Sequence, residues 1–98
     1  MTVNKENNNG SLAVSINGRI DTTTAPALEE ELKSSFDSCS DITLDFANVD
    51  YISSAGLRVL LSAQKTMAKK GGMKLKNVSS EIMEIFEVTG FSDILTIE

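Results

Sequence analysis

At 98 residues, with 41% apolar and 23% charged side chains, the chain has the composition of one globular domain with a single core. One cysteine, Cys39, and no histidine exclude an intrachain disulfide, a Cys/His metal site and any histidine-dependent nucleophile. A net charge of −5, no apolar run of membrane-spanning length and the polar start MTVNKENNNG set the expectation of a cytoplasmic protein that binds neither nucleic acid nor membrane.

Residues 2–4 read as a short edge strand. Residues 11–16 read as a stronger one, because Leu12, Val14 and Ile16 alternate with Ser11, Ala13 and Ser15. Between them, Asn7-Asn8-Asn9-Gly10 predicts a turn. Asn-Gly takes the positive φ angles of a tight hairpin, so the strands pair antiparallel and residues 1–9 are expected to be an edge strand and a mobile turn. A second Asn-Gly, Asn17-Gly18, is either another turn or a bulge that carries the strand through Arg19 and Ile20. Thr22-Thr23-Thr24 before Ala25-Pro26 is a helix start. The spacing of Leu28, Leu32 and Phe36 predicts a helix over 25–37, with Glu29, Glu30, Glu31 and Lys33 in solvent. Cys39 lies just past its end, as a structural thiol.

Ile42, Leu44 and Phe46 alternate with Thr43, Asp45 and Ala47, which predicts a central strand; after Val49 the alternation stops. Leu57, Leu60, Leu61, Gln64 and Ala68 fall on one helical face, and the helix is expected to end at Lys69-Lys70-Gly71-Gly72. Lys65, Lys69, Lys70, Lys74 and Lys76 suit a helix C-terminus and a solvated strand face rather than a phosphate-binding patch. Met73 and Leu75, extending toward Val78, predict a fourth strand. Ser79 or Ser80 opens a helix through Val88 with Ile82, Ile85, Phe86 and Thr89 inward, Gly90 closes it, and 95–97 is a last strand. The pattern is α/β over 1–98: a mixed sheet of four to five strands, an N-terminal hairpin followed by β-α repeats, flanked by three to four helices. Thr43 and Asp45 imply that helices cover one face of the sheet more heavily than the other.

Functional groups of open parallel sheets collect at the carboxyl ends of strands, here Asp21, Asn48, Asp50, Ser53 and Ser54. Gly-x-Ser-x-Gly, nucleotide-loop and dinucleotide fingerprints are absent and no general base stands ready for a serine, so neither an enzyme nor a cofactor is expected. Asp45 with Asp50 offers a two-carboxylate or receiver-like phosphoaspartate site, against the simpler reading of solvent and loop hydrogen bonds. Ser53 and Ser54 open the second long helix, where free N–H groups and the positive dipole end favour a hydroxyl cap and also a phosphate. Either one serine caps and nothing more, or one caps while the other is exposed for modification.

The stretch VDYISSAGL, a strand end, a small polar pair, Gly-Leu and an amphipathic helix, resembles the signature of the STAS domain of bacterial anti-sigma factor antagonists. Gly18-Arg19-Ile20-Asp21 resembles the Gly-x-Ile/Leu-Asp element after the second strand of that family, and the resemblance spans nearly the whole chain. It implies a non-enzymatic binding module. Unphosphorylated, such a module binds an anti-sigma factor that is also an ATP-dependent serine kinase and so releases the sigma factor; phosphorylation switches it off, and a metal-dependent serine phosphatase restores it. The resemblance implies a contact surface on Asp21, Thr22, Thr23, Asp50, Ser53, Ser54, Ala55, Gly56 and Arg58. The usual family order is Asp-Ser-(Ser/Thr)-Gly-Leu with the acceptor before Gly, whereas this chain has Ser53-Ser54-Ala55-Gly56-Leu57. Ser54 is therefore the expected phosphosite with Ser53 as cap and as the alternative acceptor. A constitutive, unphosphorylated adaptor, a receiver-like module and a small hydrolase are the competing readings.

Overall fold

Asn9 and Gly10 take positive φ angles of 57° and 94°, and this two-residue turn closes a hairpin between β1 (Thr2–Asn8) and β2 (Ser11–Ile20) in the computed structural model, which describes residues 1–98. β1 therefore outruns the expected 2–4. Once the turn shrinks to Asn9-Gly10, Asn8 must face Ser11 and the residues before it fall into register, so Asn7 and Asn8 are strand and not turn. The Asn7 side chain donates to the Ser38 carbonyl at 3.0 Å, tying this edge to the body of the protein.

The remaining elements are α1 (Ala25–Lys33), β3 (Asp41–Ile52), α2 (Ser54–Met67), β4 (Met73–Lys76), α3 (Ser80–Thr89) and β5 (Thr96–Ile97), with single 3-10 turns at Phe36–Ser38 and Phe91–Asp93. The five strands lie in sequence order, β1 antiparallel to β2 and all later neighbours parallel. Each crossover steps one strand in the same direction, and right-handed connections then bring the helices to one face. Burial follows: Leu12, Val14, Ile42, Leu44, Met73 and Leu75 are in the core, while Ser11, Ala13, Thr43, Asp45, Lys74 and Lys76 form a solvated opposite face. The one-sided cover expected from Thr43 and Asp45 is what the fold has.

β3 differs most from expectation. It continues five residues beyond Ala47, and the broken alternation marks two bulges rather than an end. From Ser15 to Asn17 β2 advances two residues while β3 advances three, from Asp45 to Asn48. From Gly18 to Arg19 β2 advances one while β3 advances two, from Val49 to Tyr51. The buried positions of β3 accordingly run Ile42, Leu44, Phe46, then Val49, then Ile52. Asn17-Gly18 is not a turn: β2 runs through it to Ile20 with Gly18 at φ 102°, and the extra residues sit opposite it on β3.

α1 is shorter than 25–37, because the chain tightens into the 3-10 turn that half-buries Phe36. α2 buries Gly56, Leu57, Val59, Leu60, Ala63 and Met67; Leu61 and Gln64 are half-buried and Ala68 is exposed, so the predicted stripe is rotated. The reason is α1: Val59 and Ala63 line a crevice with Leu32 and Phe36, so α2 has two partners to cover and not the sheet alone. Ser79 caps α3, its Oγ accepting the Ile82 N–H at 3.3 Å, and Gly90 ends it at φ 82°. Ile82 and Phe86 are buried as expected, whereas Thr89 is exposed, and Val88 is 81% exposed. β4 stops at Lys76, short of Val78, and the last strand is only Thr96–Ile97. No helix is long and apolar enough to cross a membrane.

Candidate functional site

The parallel pairing of β2 and β3 brings their carboxyl ends together and sets two loops side by side. Ile20 faces Ile52, and the Ser53 N–H donates to the Ile20 carbonyl at 2.8 Å, so the mouth of α2 is pinned to the end of β2. α2 then rests on this pair through Gly56. A Cβ there would lie 2.6 Å from Ile20 Cγ2 and 2.7 Å from Ile52 Cγ1, so only glycine allows this approach. Gly56, expected on the contact surface, is buried instead, its surface spent on packing.

The two serines have different surroundings. Ser53 occupies the cap position with extended backbone, φ −94° and ψ 176°, yet makes no side-chain cap bond. Its N–H belongs to the strand ladder, and its Oγ is turned inward, buried and without a hydrogen-bond partner. The expectation that Ser53 caps through its hydroxyl is thus corrected. Ser54 is the first helical residue and is exposed. No side chain caps the first turn of α2, which leaves free N–H groups and a positive dipole end at Ser54.

On the β2 side, Asp21 organises the loop into α1. Its Oδ1 accepts the Thr23 hydroxyl at 2.7 Å, the Thr23 N–H at 3.0 Å and the Thr24 N–H at 3.2 Å. The Thr24 hydroxyl accepts the Asp21 N–H and donates to the Arg19 carbonyl, each at 2.8 Å. Led by the Thr23 hydroxyl, these donors hold the Asp21 carboxyl below its usual 3.8, at about 2, against the upward pull of desolvation. A depressed carboxyl pKa contributes stability that is complete above the unfolded value and is lost as pH falls through the folded one. The stability advantage of the native chain over an Asp21→Asn variant is therefore expected to shrink as pH drops from 3.8 toward 2. Urea unfolding of both chains across that interval measures it; a constant difference contradicts the assignment.

Thr22, Thr23, Asp50, Ser54 and Arg58 are exposed on this rim, and Ala55 is half-buried. Asp50 is the extra residue of the second β3 bulge, which is why it projects. Between the N-terminal turns of α1 and α2 lies a shallow groove of about 280 Å³ lined by Thr22, Ala25, Pro26, Glu29, Ala55, Arg58 and Val59. It is small beside ordinary ligand pockets and suits a protruding side chain of a protein partner.

Asp45 and Asp50 do not converge. Asp45 sits on the open sheet face, its Oδ1 accepting the Ala47 N–H at 2.9 Å and the Asn77 amide at 3.0 Å, and these bonds lower its pKa. Asp50 is roughly 15 Å further along the strand. The neighbours that sequence reading missed are Arg19 and Tyr51. Arg19 Cζ lies 4.5 Å from the Tyr51 ring centroid and Arg19 Nε 3.6 Å from Asp21 Oδ2. Their signal was present in the reading that carries the strand on through Asn17-Gly18 to Arg19 and Ile20, which brings β2 up to this rim.

The family model of the STAS domain matches residues 2–98. The chain belongs to the STAS domain family. This STAS domain is 34% identical over 98 residues to the anti-sigma-B factor antagonist of Bacillus subtilis, covering 99% of this chain and 90% of that one. Among solved structures, an anti-sigma factor antagonist from Mycobacterium paratuberculosis superposes with a TM-score of 0.88 at 27% identity, over 98% of this chain and 83% of that one. The Bacillus cell fate determinant SpoIIAA in its phosphorylated form shares the fold at a TM-score of 0.76 and 14% identity, over 99% of this chain and 91% of its own.

Proposed function

We propose that this STAS domain is an anti-sigma factor antagonist. It acts as a cytoplasmic binding module and not as an enzyme: unphosphorylated, it docks on an anti-sigma factor through the rim around Ser54 and frees the sigma factor. Phosphorylation of Ser54 by that anti-sigma factor, acting as an ATP-dependent serine kinase, switches it off, and a metal-dependent serine phosphatase restores it. The observation that carries the reading is the contrast between the serines. Ser54 is exposed at the uncapped start of α2, on one rim with Thr22, Thr23, Asp50 and Arg58, whereas the Ser53 hydroxyl is enclosed. A phosphate of −1.5 to −2 charges at a helix N-terminus is tolerated by the fold, so its effect falls on the docking surface. The 34% identity to a B. subtilis antagonist supports the pathway, and SpoIIAA, of the same fold, exists in a phosphorylated form.

One observation favours a second reading, a constitutive adaptor: Ala55 stands where the family signature carries its acceptor. Incubation with the kinase-type anti-sigma factor of the same organism and ATP separates the readings. The expected product is one acid-stable phosphate, mapped to Ser54 by mass spectrometry and absent from Ser54→Ala. Tight binding without phosphate transfer favours the adaptor, and an acid-labile phosphate on Asp50 returns the receiver-like reading.

A further inference from the structure

We propose that Arg19, Tyr51 and Arg58 anchor the partner at this end of the sheet, and that the partner presents carboxylates to the two guanidinium groups and an apolar contact to the Tyr51 ring. The inference rests on the reading of the chain as an antagonist and adds to it the contact residues and the chemistry of the surface they meet.

Composition is the first support. Arg19 and Arg58 are the arginines of this chain, Tyr51 its one tyrosine, and it has no tryptophan. Arg19 and Tyr51 face each other at the carboxyl ends of β2 and β3, and Arg58 lies in the N-terminal half of α2, whereas the lysines lie on β1, on β4 and at the C-terminal ends of α1 and α2. Arginine, tyrosine and tryptophan are the residue types that dominate binding hot spots, and this chain has them only at the carboxyl ends of β2 and β3 and on the N-terminal half of α2.

Geometry is the second. Tyr51 is 38% exposed and the Arg19 side chain 61% exposed, so neither fills the core. They meet because β3 spends an extra residue between Val49 and Tyr51, bringing Tyr51 opposite Arg19. Bulges of this kind re-aim side chains near functional sites. Held between the Tyr51 ring and the Asp21 carboxylate, Arg19 is restrained before any partner arrives, so less side-chain freedom is lost on docking.

Electrostatics identifies the partner. The intrachain contact of Arg19 is a single 3.6 Å approach through Nε to a carboxylate already engaged by Thr23 and Thr24, so its terminal nitrogens stay available. Arg58 makes no ion pair. A guanidinium with free forked donors matches a carboxylate in two-bond geometry, which a lysine does not reproduce. The rim also carries Asp50 and Glu29, so it is not a basic patch. Mixed signs of this kind fix the register of docking.

The test is calorimetric titration of the purified full chain with the purified anti-sigma factor of the same organism. Arg19→Ala, Tyr51→Ala and Arg58→Ala are each expected to weaken binding at least about tenfold, while Lys69→Ala, at the far end of α2, leaves it unchanged. Arg19→Lys and Arg58→Lys keep the charge, lose the fork and are expected to restore only part of the affinity. Alanine variants of the partner's acidic residues, combined with the arginine variants, are expected to give non-additive pairs. Urea midpoints equal to that of the native chain establish that the variants fold. If the native chain binds and all three alanine variants bind equally well, the anchors lie elsewhere and antagonism itself survives. A loss confined to Tyr51→Ala overturns the carboxylate assignment. No binding by the native chain overturns the antagonist reading and this surface with it.

Discussion

Replacing Gly56 by alanine is expected to destabilise the domain by about 1–3 kcal/mol, the ordinary cost of overfilling a well-packed site. Two effects of opposite sign compete. Alanine is better than glycine inside a helix by about 1 kcal/mol, so helix propensity alone predicts a gain. The site predicts a loss. The new methyl would sit 2.6 Å from Ile20 Cγ2, 2.7 Å from Ile52 Cγ1 and 3.3 Å from the Ile20 carbonyl oxygen. Neither isoleucine yields easily, since both are buried and branching at Cβ restricts χ1. The Ile20 carbonyl is also fixed, holding the Ser53 N–H at 2.8 Å. α2 must therefore lift from the sheet end, and its first turn, with Ser54, moves with it. Urea unfolding measures the loss, and in a domain of this size each kcal/mol corresponds to roughly 4–8 °C in Tm. An unchanged or raised midpoint would show that α2 has slack the packing does not reveal.

Ser54→Asp is expected to weaken partner binding about a hundredfold, equivalent to about 2.7 kcal/mol, while Ser54→Ala stays within a few-fold of the native chain. The variant adds a carboxylate that must be desolvated on docking. It also stands four residues before Arg58, on the same strip of α2, where it attracts that guanidinium and takes it from the partner. Folding should move the other way. A negative charge in the first turn of a helix is favourable by about 0.3–1 kcal/mol, and no side chain already caps this one. Affinity falls while stability holds or rises, a combination that global unfolding cannot imitate. Raising the salt concentration should reduce the affinity difference, because exposed charges are screened. Binding by Ser54→Asp as tight as that of the native chain ends the case for Ser54 as the switch.

Much of the candidate site's placement is legible in the sequence, and the gaps have physical causes. Asp21, Thr22, Thr23, Asp50, Ser54 and Arg58, the contact residues the family resemblance implies, lie at the strand ends and helix starts of one edge, because parallel strands joined by crossovers end on the same edge. Arg19 and Tyr51 are not legible in the alternation, which breaks at Val49 because an extra residue resets its phase. Position alone assigns the capping hydroxyl to Ser53. In the fold its Oγ is enclosed and unpartnered, while its N–H is held by the Ile20 carbonyl, more than thirty residues earlier in the chain.

By itself the sequence determined whatever depends on a few adjacent residues: the Asn9-Gly10 turn, the Ser79 cap, the Gly90 stop and the order of strands and helices. These follow from local dihedral preference and near hydrogen bonds, and distant segments only ratify them. Tertiary structure decided how far β3 runs, which face α2 buries, which serine meets solvent and why Gly56 must lack a side chain. Each of those turns on atoms supplied by another segment, whose place is set only when sheet and helices have packed.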